Sequence, residues 1–112
     1  MSVEPGVYNF EVRRRADFSV LLQFKDGNGD PIALSGYTVD AEVWDEDGNK
    51  KYADFGIDYT DRSNGQVTIS LSDTDTAIFP DESYYDVLLI DPNGTRNYYL
   101  KGKITATQGY TT

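Results

Sequence analysis

Residues 17–25 read DFSVLLQFK, and every second position from Phe18 onward holds a large apolar side chain. A period of two places these side chains on one face of an extended chain, which predicts a half-buried β-strand. The face that points into the core consists of Phe18, Val20, Leu22 and Phe24.

The same alternation recurs along the chain, with turn-rich segments between the runs. It predicts further strands in YTVDAEVW, with Tyr37, Val39, Ala41 and Val43 inward, and in QVTISL, with Val67, Ile69 and Leu71 inward. VYNFEV, with Tyr8, Phe10 and Val12 on one face, SYYDVLLI and NYYLKGKITA complete the set. About seven short strands without helical crossovers are typical of an all-β antiparallel sandwich or a small barrel, and we predict the sandwich.

One segment departs from this pattern. SLSDTDTAIF carries Ser72 and Asp73 as candidate N-caps and precedes Pro80, so we predict a short helical turn near residues 73–78. A turn of this kind often carries the chain between the sheets of a Greek-key sandwich. We expect one domain over residues 1–112, with extended tails at 1–6 and 108–112.

Composition narrows the function. The net charge is −9, from 10 basic and 19 acidic residues, and such a field repels nucleic acids and anionic membrane surfaces. The absence of cysteine and histidine excludes thiolate nucleophiles, zinc fingers and Ser-His-Asp triads. Neither a signal peptide nor a membrane span is recognisable, so we expect a protein synthesised in the cytoplasm.

KDGNGDPI, residues 25–32, begins like a calcium loop, with Asp26, Asn28 and Asp30 at alternate positions. The calcium loop of a helix-loop-helix protein also requires glycine at its sixth position and glutamate at its twelfth. Here those positions are Pro31 and Tyr37. A site is then left only if another loop adds carboxylates, and the candidates are Asp45, Glu46, Asp47 and Asp91.

A plain turn is the preferred interpretation of this loop, because DEDGNKK and DPNGTRN share its Asp, Asn and Gly content. The remaining acidic residues crowd into turns where water keeps them ionised, so a hydrolase with paired carboxylates is disfavoured. We therefore predict no catalytic residue, no cofactor and no small-molecule substrate.

Two features suggest protein interfaces. Arg13, Arg14 and Arg15 concentrate basic charge in an acidic chain, although a solvated connection between strands explains them equally well. Apolar and aromatic side chains also fall on the outward parity, where another subunit, a neighbouring protein or the chain's own ends would cover them. These residues are Trp44, Tyr84, Leu88, Ile90 and Tyr99, together with Tyr110 near the C-terminus. Trp44 is in addition a candidate for stacking on a sugar.

Several short motifs resemble the small immunoglobulin-like virion proteins of tailed bacteriophages, including the N-terminal domain of phage baseplate upper proteins. They are ADF at 16–18, the connection D-x-x-G-x-P-I-x-L-x-G-Y at 26–37, GQVTISLS at 65–72, YDV at 85–87 and GKIT at 102–105. In place of the arginine triplet the family would have a glycine-containing turn.

The resemblance implies an immunoglobulin-like sandwich and a non-catalytic virion protein. It would attach fibres or receptor-binding proteins at the tail or baseplate, with other virion proteins as partners and several copies, or a homo-oligomer, in the particle. The alternatives are a capsid decoration protein and, from a different class, a carbohydrate-binding module for host recognition.

Overall fold

The computed structural model describes residues 6–108. They form nine strands, one short α-helix and one turn of 3-10 helix: β1 Gly6–Val7, β2 Phe10–Arg13, β3 Phe18–Gln23, β4 Thr38–Trp44, β5 Lys51–Asp54, β6 Gly56–Asp61, the 3-10 turn Arg62–Asn64, β7 Gln66–Leu71, α1 Asp73–Ala77, β8 Glu82–Ile90 and β9 Arg96–Thr107.

The strands make two sheets. The large sheet has the order β1-β9-β8-β4-β5, with β2 also paired to β9, and the small sheet has the order β3-β7-β6. All pairs are antiparallel except β1 and β2, which run parallel to β9. The predicted all-β sandwich is therefore confirmed.

The core lies between the inward faces of the two sheets. The alternation predicted for β4 and β7 is confirmed, because each strand buries alternate residues. On β3 the inward residues Phe18, Val20 and Leu22 pack against the core but remain partly exposed. The sandwich is thus less well covered along β3 than at its centre.

Two strands are additional to the prediction, namely β5 and β6. β5 has only four residues, which is too short to show a period, whereas β6 does alternate, with Ile57 and Tyr59 partly buried between exposed neighbours. The predicted first strand is also wrong in detail, because the chain bends between β1 and β2. Tyr8, expected inward, lies in this bend with 57% of its surface exposed. Gly6, expected in a tail, pairs with Leu100.

The bend fits against β9 through specific contacts. The backbone N–H of Lys103 donates to Oδ1 of Asn9 at 2.9 Å, which replaces one backbone partner lost from the ladder. Gly102 lies where the chain approaches most closely, since a Cβ there would stand 1.9 Å from the carbonyl oxygen of Tyr8. The hydroxyl of Tyr85 donates to that same oxygen.

The predicted helical turn is confirmed as α1. Ser72 is its N-cap and forms a capping box with Asp75. The helix carries the chain from β7 in the small sheet to β8 in the large sheet. Oδ1 of Asp17 accepts the N–H of Asp73 at 2.9 Å, which ties the start of α1 to the chain just before β3.

Candidate interaction surface

The three arginines have different surroundings. Arg14 is mostly covered, with 19% of its side chain exposed. Its Nε donates to the carbonyl of Phe79 at 2.7 Å, and its terminal nitrogen contacts Oδ1 of Asp81 at 2.8 Å. Arg14 therefore holds the segment after α1 against the end of β2. This internal role corrects its prediction as an interface residue.

Arg13 and Arg15 are exposed, which agrees with a solvated connection between strands. Arg15 has a φ of 66°, a left-handed conformation that glycine adopts without strain. An arginine at this position therefore holds a backbone conformation that favours glycine.

The loop that resembles a calcium site is a turn closed by its first residue. Oδ1 of Asp26 accepts the backbone N–H groups of Asn28 at 2.9 Å and Asp30 at 3.1 Å. The N–H of Asp26 donates to the carbonyl of Asp30, and that of Gly29 donates to the carbonyl of Asp26. The Asp26 carboxylate thus faces backbone donors, as an Asx-type turn requires.

The DPNGT turn has the same bonds at the same spacing. Oδ1 of Asp91 accepts from the N–H groups of Asn93 and Thr95, each at 2.9 Å. The third segment is one residue longer, and Oδ1 of Asp45 accepts the N–H of Asn49 at 2.7 Å. Within residues 6–108, no group of three or more acidic side chains is arranged to hold a metal ion.

Two of these segments join paired strands, β4 to β5 and β8 to β9. The segment at 26–30 differs, because it connects β3 in the small sheet to β4 in the large sheet. Lys25 and Pro31 nevertheless form an antiparallel bridge across it, so this turn also reverses the chain locally, with the predicted chemistry.

The outward side chains of β4, β8 and β9 form a groove on the outer face of the large sheet. Register places Trp44 opposite Tyr84, Glu42 opposite Asp86 and Asp40 opposite Leu88. The outer groove has a volume of about 470 Å³. Its sheet residues are Asp40, Glu42, Trp44, Tyr84, Asp86, Leu88, Arg96 and Tyr98, and the β4–β5 turn closes one end with Asp45, Glu46 and Asp47.

The predicted outward stripe is present but unequally accessible. Trp44, Tyr84 and Ile90 are half-buried. Leu88 lies on the outer face, yet only 7% of it is exposed, so its neighbours on the same chain already cover it. Tyr98 was not predicted and is the most open aromatic of the groove, with 49% exposed.

The groove has an acidic floor. Burial raises the pKa of Asp86, and the nearby Glu42 and Asp40 carboxylates raise it further. Glu42 has cationic and polar partners, since Lys51 lies 3.2 Å from its Oε2 and the indole Nε1 of Trp44 donates to its Oε1 at 3.2 Å. Aromatic rings beside carboxylates of this kind form an environment that suits a cation.

The prediction that Tyr99 faces outward is wrong. Its ring lies 4.5 Å from that of Phe24, and its hydroxyl accepts the N–H of Lys25 at 2.9 Å. A register shift between Val87 and Leu88 against β9 changes the parity along β9, so both Tyr99 and Leu100 pack against the core. Tyr110 lies outside the described residues.

Among residues 6–108, no helix has the length and hydropathy that a membrane crossing requires. No protein-family model matches the sequence. A search of curated proteins also finds no match. Among solved structures, the Lin-41 filamin domain superposes with a TM-score of 0.51 at 21% identity, covering 88% of this chain and 84% of the other. At that identity the likeness concerns the fold, and it confirms the immunoglobulin-like sandwich.

Proposed function

We propose that this chain is a non-catalytic structural protein of a tailed-phage virion. It serves as an adaptor or attachment module of the tail or baseplate and binds a neighbouring virion protein through the outer groove. The observation that carries the proposal is one acidic groove that holds the half-buried Trp44 and Tyr84 and the exposed Tyr98. Tyrosine and tryptophan are the side chains that most often anchor protein interfaces.

The roles of the motif residues support a binding module. Gly65 has a φ of 70°, and a Cβ there would lie 2.6 Å from the carbonyl oxygen of Ile32. Gly102 accommodates the bend between β1 and β2, and Asp17 holds the start of α1. These residues of the phage-like motifs build the sandwich, which leaves recognition to its outer surface.

The charge of the groove indicates the chemistry of the partner. Asp40, Glu42 and Asp86 line its floor, and Asp45 and Asp47 stand at one end. An arginine or lysine of the partner would meet carboxylates and aromatic faces together, and both attract a cation. The partner surface we propose is therefore basic, with at least one cationic side chain over the Glu42 and Asp86 carboxylates.

The direct test is to image the complete phage particle and locate this protein in it. The proposal expects Trp44, Tyr84 and Tyr98 to be covered by a basic surface of a tail or baseplate protein. A groove left open to solvent in the complete particle overturns it. A position on the capsid exterior would instead identify a decoration protein.

A matched pair of variants tests the groove itself. Tyr98→Asp should weaken incorporation into particles by at least about tenfold, through lost aromatic burial and added charge repulsion within the groove. Ile78→Asp changes a residue of similar exposure, 63%, at the end of α1 and should incorporate normally. Equal incorporation of the two variants contradicts the assignment of the groove.

Carbohydrate binding is a second candidate, favoured by the contact of Trp44 with Glu42 in a groove that also holds Asp86 and Arg96. An aromatic ring next to polar groups is suited to stack on a sugar and bond its hydroxyls. Titration with host-surface glycans should then move the indole signal of Trp44 in nuclear magnetic resonance spectra. Unchanged spectra at millimolar glycan would exclude this function for the groove.

A further inference from the structure

The outer edge of β3 carries unused backbone groups. Within residues 6–108, β3 pairs with β7 and with no other strand. The N–H of Phe24 points toward the small sheet, since it bonds the carbonyl of Gly65. By the alternation of an antiparallel ladder, the N–H and C=O groups of Ser19, Leu21 and Gln23 point away from the sheet.

This edge lacks the features that usually protect a free strand. Residues 18–23, FSVLLQ, contain no charge and no proline, and their register with β7 is continuous. The other edges differ: β5 has four residues and two charges, β6 has a register shift and several aspartates, and β1 and β2 are separated by a bend. An unprotected, regular edge strand is a template for pairing with another chain.

An apolar groove follows the same edge. It lies between β3 and the bend of the large sheet, has a volume of about 290 Å³, and is lined by apolar and aromatic side chains. Leu21 and Tyr8, which border it, expose 53% and 57% of their surfaces. Large apolar side chains are therefore exposed beside the free backbone groups.

We propose that two copies of this chain pair β3 with β3 across a two-fold axis at Leu21, joining their three-stranded sheets into one. The pairing is antiparallel, so Leu21 faces Leu21 of the second copy, and Ser19 faces Gln23. Each of these residues donates and accepts one backbone bond. The exposed leucines cover each other, and the second strand covers Val20 and Leu22.

Charge complementarity fixes this register. With Leu21 on the axis, Asp17 of each copy lies opposite Lys25 of the other. Because only alternate residues face the edge, the register slips in steps of two. One such step carries Lys25 past Asp17 toward the turn at Arg15, and the step in the other direction leaves Asp17 opposite Gly27. The central register alone pairs opposite charges across the strands.

The ends of the pairing are also defined. The backbone N–H of Lys25 is taken by the hydroxyl of Tyr99, so the shared ladder stops at Gln23. At the other end, the positive φ of Arg15 turns the chain before β3 begins. The dimer uses a surface separate from the outer groove. Tests of the dimer and of the proposed function therefore have independent outcomes.

Cysteine cross-linking tests the register, because the natural chain contains no cysteine. Residues that exchange hydrogen bonds across antiparallel strands have Cα atoms about 5.5 Å apart, which a disulfide spans. Leu21→Cys should therefore give a disulfide-linked dimer on mild oxidation. Ser19→Cys, two residues away on the same strand and also exposed, should remain unlinked because residue 19 faces residue 23. Cross-linking of the two variants at equal rates overturns the register.

Sedimentation of the unmodified protein tests the dimer itself. We expect a mass of twice 12.6 kDa at high concentration. Leu21→Lys should weaken dimerisation by at least about tenfold, through lost leucine burial and a charge at the axis, while circular dichroism reports an intact fold. Tyr98→Asp in the outer groove should dimerise normally. A wild-type monomer at millimolar concentration, or a Leu21→Lys variant that dimerises as well as the wild type, contradicts the proposal.

Discussion

The hydroxyl of Tyr85 donates a hydrogen bond to the backbone carbonyl of Tyr8. The bond joins β8 at the centre of the large sheet to the bend between β1 and β2. The ring of Tyr85 also stacks on Phe10, with centroids 4.7 Å apart. A single side chain thus supports both the core and the irregular first strand, and the bend has a buried partner for its carbonyl.

Tyr85→Phe should lower the free energy of unfolding by about 1–3 kcal/mol at neutral pH, because the Tyr8 carbonyl loses its donor. Burial raises the pKa of Tyr85, with a further contribution from Tyr8. The wild type should therefore keep full stability below pH ~10, the pKa of an unfolded tyrosine, and lose it above that pH by up to about 1.4 kcal/mol per unit. Urea unfolding from pH 7 to pH 11 should show a shallower alkaline decline for Tyr85→Phe.

Gly102→Ala should destabilise the fold by about 2–4 kcal/mol, because the new methyl group meets the Tyr8 carbonyl and the bend must move. Gly27→Ala is the matched control, since no atom lies within 4 Å of its Cβ position. Thermal unfolding of the two variants should differ clearly. Equal melting temperatures would contradict the close approach at Gly102.

Arg14→Ala should cost about 1–3 kcal/mol, since the Phe79 carbonyl loses a charged donor that is mostly covered. Arg14→Lys should restore little of the loss, because an ammonium group does not reproduce the forked geometry of the guanidinium. Arg13→Ala changes an exposed neighbour and should stay within about 0.5 kcal/mol of wild type. Denaturant midpoints of the three variants provide the comparison, and equal midpoints for Arg14→Ala and Arg13→Ala would contradict the internal role of Arg14.

Arg15→Gly should raise stability by about 0.5–1 kcal/mol, because glycine relieves the cost of a φ of 66° by more than the entropy it adds to the unfolded chain. Arg13→Gly lies in β2 and should destabilise. Differential scanning calorimetry distinguishes the two. A lower melting temperature for Arg15→Gly would show that the arginine side chain contributes more than the strain costs.

Asp86→Asn should stabilise the protein at neutral pH. The pKa of Asp86 is raised by burial and by the Glu42 and Asp40 carboxylates, so folding favours its protonated form. The stability gained from the protonated carboxyl is fully present below the pKa of Asp86 in the unfolded chain. It is lost as the pH rises through the pKa of Asp86 in the folded protein. The gain from asparagine should accordingly appear at pH 7 and vanish in acid below the unfolded pKa. Unfolding curves at the two pH values provide the comparison.

Alternation predicted most of the sandwich because strands buried on one face must repeat every second residue. It did not predict β5, which has only four residues, or β6, although Ile57 and Tyr59 on β6 alternate with exposed residues and carry the same signal. It also misplaced Tyr99, because a register shift changes parity without leaving a trace in the sequence. Contacts between residues far apart in the sequence could not be predicted either. Nothing near Arg14 in the sequence indicates that its side chain bonds the Phe79 carbonyl.

The turns at 26–30 and 91–95 share the same bonds, each built from its own aspartate and glycine. A turn whose hydrogen bonds all lie within its own five residues depends little on the residues around it. Exchanging the sequences DGNGD and DPNGT between residues 26–30 and 91–95 should therefore preserve the fold. The loop sequences at this end of the sandwich can vary while the strands stay the same.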